Sequence, residues 1–223
     1  SAWDPRVQTL VVDSLGVTTL VGSAGNKRSF SVHGDVVGEL HDGGAFTPEH
    51  GSYEATIELE LVDGEWRISS LPSGVVLERS EMRDEYQPYD LYFFDPAGNE
   101  LITDRRWVYA RRESLPSALI SLLTQGPSDR LQPAVSGPNA LASAEEEDAT
   151  IAYTGFNDGA YEFTGFGGMD EQTRKQFAAQ VVWTLASAGV TGPYNLQADG
   201  EALFDGADKL TVDDFAEFSP LVD

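Results

Sequence analysis

Tyr53-Glu54-Ala55-Thr56-Ile57-Glu58-Leu59-Glu60-Leu61 decides the fold of the first part of the chain. Apolar side chains at 53, 55, 57, 59 and 61 alternate with Glu or Thr at 54, 56, 58 and 60. A period of two places one set on each side of a strand, so one face is apolar and the other solvated. Asp63-Gly64 follows, a pair that favours the two-residue hairpin turn. Trp66-Arg67-Ile68-Ser69 then returns with Trp66 and Ile68 on one face.

Upstream, the same reading gives strands at Val7 to Val12 and Val17 to Val21, turned at Asp13-Ser14-Leu15-Gly16. Arg28 to Val32 and Asp35 to Leu40 read as a hairpin turned at His33-Gly34. Leu71-Pro72-Ser73-Gly74 interrupts the last strand before Val75-Val76-Leu77. Residues 1–85 are therefore expected to form one curled antiparallel sheet, and the polar stretch Glu81 to Pro88 to join it to a second domain.

Downstream the pattern changes. Tyr89 to Phe94 and Trp107 to Arg111 read as strands. A helix from Ser114 carries the stripe Leu115, Ala118, Leu119, Leu122 and Leu123 and stops at Gly126-Pro127. Strands at Ala149 to Phe156 and Ala160 to Phe166 join through Asn157-Asp158-Gly159. A second helix is capped by Asp170 and buries Phe177, Ala178, Val181, Val182 and Leu185. Tyr194 to Ala198 is a last strand, turned by Asp199-Gly200. The order ββαββαβ over residues 86–218 predicts a two-layer α/β sandwich, so the chain as a whole is of the α+β class.

Composition narrows the chemistry. There are 37 Asp and Glu residues against 14 Lys and Arg, for a net charge of −23. That balance repels phosphate backbones and argues against a nucleic-acid partner. The chain has no cysteine, which excludes disulfides and thiolate chemistry within it. No apolar run reaches the ~20 residues of a membrane span.

No convergent catalytic set stands out, and the chain reads as a non-enzyme with no cofactor and no metal. His33, His41 and His50 match no ligand spacing, and Asp95-Pro96-Ala97-Gly98-Asn99 is explained by turn chemistry. Gly165-Phe166-Gly167-Gly168 resembles an anion-binding glycine loop, but it lacks a lysine at the phosphate position, and Asp170 and Glu171 would repel phosphate. The expected interaction surface comprises Trp183, read as lying outside its helix's buried stripe, Arg105 and Arg106, read as solvated, and the acidic run Glu145-Glu146-Glu147-Asp148.

From Tyr89 onward the chain resembles the GerMN domain. The resemblance rests on Asp90-Leu91-Tyr92-Phe93-Phe94-Asp95, the helix end Leu122-Leu123-Thr124-Gln125-Gly126-Pro127, the helix Ala179-Gln180-Val181-Val182-Trp183-Thr184-Leu185, and the closing Asp199-Gly200. With Val37-Gly38-Glu39-Leu40, Gly64-Glu65-Trp66-Arg67-Ile68 and Leu71-Pro72-Ser73-Gly74 ahead of it, the whole is similar to the N-terminal half of the LpqB family of actinobacterial lipoproteins.

That resemblance implies an NTF2-like cone of strands at 1–85, shortened by the helices of that class, a GerMN domain at 86–218, and a linker from 219 towards a β-propeller outside this sequence. It implies membrane attachment only through an N-terminal lipid anchor, at the outer face of the cytoplasmic membrane. It also implies a role in modulating a two-component sensor kinase of cell-wall and division homeostasis, by contact with the kinase's extracellular region. The alternative reading is a ligand-binding or enzymatic module that takes a cell-wall fragment into the cone of the first domain.

Overall fold

The computed structural model describes residues 3–21, 25–138 and 150–220. The chain is mixed α+β and divides into two compact units, 1–87 and 88–223.

In the first unit, β1 (Thr9–Leu20), β2 (Lys27–Leu40), β3 (Phe46–Val62), β4 (Glu65–Ser70) and β5 (Val75–Glu78) form one strongly curled half-barrel sheet in the order β4-β3-β2-β1-β5. All neighbours are antiparallel except β1 and β5. The alternation of 53 to 61 holds: Tyr53, Ala55, Ile57 and Leu59 are half-buried while Glu54, Thr56 and Glu58 are exposed. Asp63 and Gly64 both take positive φ, 53° and 83°, as a mirror-image hairpin turn requires.

Two expected turns are absent. β1 runs unbroken through Asp13 to Gly16, and β2 runs through His33 and Gly34. The β1–β2 ladder shifts register between Asp13 and Gly16, and Ser14 takes φ 55° there. This is a bulge, which uses the same residue types as a turn but bends the strand instead of reversing it. A second shift, opposite Val36 to Gly38, adds to the curl. The expected junction is also ordered differently. Arg79–Glu85 is a short helix, α1, whose N-terminus is closed by a reciprocal box between Glu78 and Glu81.

The second unit opens with the hairpin β6 (Gln87–Phe94) and β7 (Leu101–Val108). The sequence placed the second strand at Trp107 to Arg111, beyond its actual span. The Asp95 carboxylate accepts from the backbone N–H groups of Ala97, Asn99 and Glu100, so the turn closes early and β7 starts at Leu101. Helix α2 (Leu115–Gln125) follows, burying Leu115, Leu119, Ile120 and Leu123. Then β8 (Ala152–Asn157) and β9 (Ala160–Thr164) pair, helix α3 (Glu171–Ser187) crosses, and β10 (Leu196–Ala198) and β11 (Glu201–Ala202) complete a sheet ordered β11-β10-β9-β8. β10 lies parallel to β9.

Helix α3 is the centre of this unit. Asp170 caps it, accepting from Thr173 N at 2.7 Å. Every residue from Phe177 to Leu185 is buried. A helix enclosed on all sides has lost its solvent face. Phe177 stacks edge-on against Phe163 of β9. On another side Thr184 Oγ accepts the Tyr92 N–H at 3.2 Å, and the Ser187 hydroxyl donates to Asp90 O. Helix hydroxyls thus satisfy backbone groups of β6 that a further strand would otherwise take.

Candidate functional site

Two of the expected surface residues lie inside the second unit. Trp183 is 9% exposed, and its indole N–H donates to Phe215 O at 3.3 Å. It is a core residue, because the 3-10 turn Val212–Phe218 covers the side of α3 that the sequence left open. Arg106 is 4% exposed. On a strand, Asp104 and Arg106 point the same way, and here they point inward.

These two form a buried node. Arg106 donates from Nε and from a terminal nitrogen to Asp104 Oδ2, at 3.0 and 2.7 Å, and from a terminal nitrogen to Gly126 O at 3.1 Å. Asp104 also accepts from Ser128 N at 2.8 Å and from the Ser128 hydroxyl at 2.9 Å. The node therefore fastens β7 to the Gly126-Pro127-Ser128 exit of α2. Gly126 holds φ 105° and ψ 179°, a conformation open to glycine alone. The Leu-Leu-x-x-Gly-Pro motif is explained by this anchorage.

Arg105, the residue between them, points outward. It makes a two-pronged ion pair with Asp90, at 2.8 and 3.1 Å, on the exposed side of the hairpin. Glu145, Glu146, Glu147 and Asp148 lie outside the described residues.

The glycine loop is likewise occupied from within. Asp199 accepts from Gly165 N and Phe166 N, at 3.3 and 3.2 Å. Arg174 donates to the carbonyls of Phe166, Met169 and Leu203. A carboxylate of the chain itself fills the place an anion would take. Gly165 sits so close to Thr150 O that no Cβ fits.

In the first unit the three histidines are dispersed. His33 lies on β2 and His50 on β3, while His41 Nε2 hydrogen-bonds Thr47 Oγ1 at 2.9 Å. Among the described residues no group of three His, Cys, Asp or Glu side chains is placed to hold a metal ion. What this unit offers is a face. Strand register puts Phe30 beside Ile57, Arg28 beside Leu59 and Ile68, and Leu61 beside Trp66, all on one side. No helix of this unit lies across β2, β3 and β4 among the described residues. Leu61, Trp66 and Ile68 are exposed as a result. Sequence reading left Arg28 out of this face, and its guanidinium stands 4.5 Å over the Trp66 ring. The parity of Arg28 with Phe30 was the available signal.

Comparison with known proteins covers almost the whole chain. A family profile described as "Lipoprotein LpqB, N-terminal domain" matches residues 1–83, and one described as "Sporulation and spore germination" matches residues 90–204. Lipoprotein LpqB of Corynebacterium diphtheriae is 40% identical over 227 residues, covering 99% of this chain and 38% of that protein. Lipoprotein LpqB of Rhodococcus opacus is 41% identical over 206 residues, covering 89% and 34%. That of Mycolicibacterium smegmatis is 32% identical over 234 residues, covering 99% and 39%. The chain thus spans between about a third and two fifths of the length of the curated relatives it matches. No solved structure matches it significantly. A half-barrel sheet matching the LpqB N-terminal domain, followed by a unit built around α3 that matches the sporulation and germination domain, identifies the chain as a member of the LpqB lipoprotein family.

Proposed function

We propose that this chain is a non-catalytic part of a lipid-anchored protein at the outer face of the cytoplasmic membrane. There it works by protein–protein contact, modulating a two-component sensor kinase of cell-wall and division homeostasis through the kinase's extracellular region. In this reading residues 219–223 lead towards a β-propeller of the longer protein.

The observation that carries the reading is how the polar side chains of the second unit are used. Asp95, Asp104 and Asp199 accept from, and Arg106 and Arg174 donate to, groups of the chain itself. Such groups fix loops; they do not converge on a space where a substrate's reacting atoms would sit. The family names, a lipoprotein and a sporulation and germination domain, point to no enzymatic class. The outward Arg105–Asp90 pair belongs to the polar rim that a docking surface needs.

The test is direct binding between this chain and the immobilised extracellular region of the kinase. Association at about tens of micromolar or tighter is expected, as for a transient signalling contact. With −23 on this chain, a basic docking patch on the kinase would show as an on-rate that falls with salt. Absence of binding at low salt would overturn the proposal.

A further inference from the structure

The two faces of the half-barrel sheet differ in charge. Glu54, Glu58 and Glu60 share one side, with Lys27 and Arg67 beside Glu60. The other side, from the Val36 bulge to the turn before Lys27, is apolar with a single charged residue, Arg28. Its residues Tyr53, Ala55, Ile57 and Leu59 are half-buried, although among the described residues helix α1 packs on β1 and β5 and not on β3. In a curled sheet the more buried of the two faces is the inner one, and by that measure this apolar face, with Val32 buried and Glu54, Thr56 and Glu58 opposite it exposed, is the inner side.

Arg28 has no ion pair among the described residues, in a chain where acids outnumber bases 37 to 14. It lies over Trp66, in the row that Leu59 and Ile68 continue across the sheet. An apolar trough with one cation at its end matches a hydrocarbon chain carrying one anionic group. A concave face fits a single chain and not a flat bilayer. A second copy is disfavoured, because two chains of −23 repel each other.

We infer that the inner face of the half-barrel binds one molecule of an anionic amphiphile, with its hydrocarbon along Phe30, Ile57, Leu59 and Ile68 and its head group on Arg28. The ligand class is a monomeric lipid with a carboxylate or phosphate head.

The test titrates this chain with cis-parinaric acid and with its uncharged methyl ester, reading the probe's fluorescence. Saturable one-to-one binding of the acid is expected at about micromolar concentrations. Arg28→Gln should weaken the acid about tenfold and leave the ester unchanged. Ile68→Asp, at an exposed edge position that folding does not depend on, should weaken both. Equal effects of Arg28→Gln on acid and ester, or no saturation below the probe's own aggregation, would overturn the inference. So would binding by this chain but not by the longer lipoprotein, which assigns the face to another segment of the same protein. Displacement by an amphipathic peptide but not by oleate would give the face to a protein partner and overturn it as well.

Discussion

Gly16 lies opposite His33 across the β1–β2 ladder, and a Cβ on Gly16 would stand 2.5 Å from His33 Nε2. The imidazole folds over the space that the glycine leaves, at the point where the ladder slips. His33 is exposed, so its ring has somewhere to go. Gly16→Ala should therefore cost under about 1 kcal/mol, the order of a rotamer change, and the cost should vanish in a His33→Ala background. Gly38 is the contrast. A Cβ there would run into the Phe46 ring and stand 2.7 Å from Thr47 O, which is backbone and cannot swing away. Gly38→Ala should cost about 2–3 kcal/mol in urea unfolding. Equal effects at the two glycines would contradict this account.

The same pair marks where sequence reading stopped. Asp13-Ser14-Leu15-Gly16 and His33-Gly34 contain turn residues, and a bulge can use the same small residues and the same positive φ, here at Ser14, as a turn. Only the facing strand decides between them, and it is distant in sequence. The 53 to 61 alternation was legible because period two and the Asp63-Gly64 turn agree locally. Trp183 was not, since it is off the stripe of its own helix and is buried by Phe215, which no local pattern places there. Arg106 was legible in principle: an Asp-x-Arg step on a strand pairs on one face, and Gly126-Pro127 was already recognised without its partner. The inner-face cation was likewise within reach, from the parity of Arg28 with Phe30.

Breaking the Asp104–Arg106 node from one side leaves a charge without its partner in the core. Arg106→Met should cost about 3–5 kcal/mol, because Asp104 keeps its burial and loses its counter-ion. Asp104→Asn with Arg106→Met should recover part of that, since the amide oxygen still accepts from Ser128 N and no charge remains buried. A double-mutant cycle by chemical denaturation reads the coupling. Additive losses would mean that the two side chains act separately.

Gln180 is fully buried on α3, and neither its Nε2 nor its Oε1 has a hydrogen-bond partner among the described residues. An amide so placed carries its desolvation cost without return. Gln180→Leu, close in volume, should raise stability by about 1–2 kcal/mol and lift the melting temperature. A fall in stability would reveal a trapped water satisfying the amide.

Alkaline pH should loosen the second unit through its tyrosines. Burial pushes the Tyr161 phenol from 10.0 up to about 12, with the neighbouring Tyr153 and Tyr194 adding to the rise. Unfolded chains lose this proton near pH 10, whereas the folded chain holds it until near pH 12. Between these limits the unfolded state binds fewer protons, so stability falls as pH rises and is complete below the lower limit. Tyr161→Phe removes the ionisable group while keeping the ring that stacks on Phe156 at 4.7 Å. The variant should match the parent at neutral pH and lose less stability near pH of about 11. Absorbance titration of phenolate checks the cause independently, because the variant should lack one of the late-ionising tyrosines. Identical alkaline losses in parent and variant would assign the effect to Tyr92, Tyr153 and Tyr194, which burial also raises.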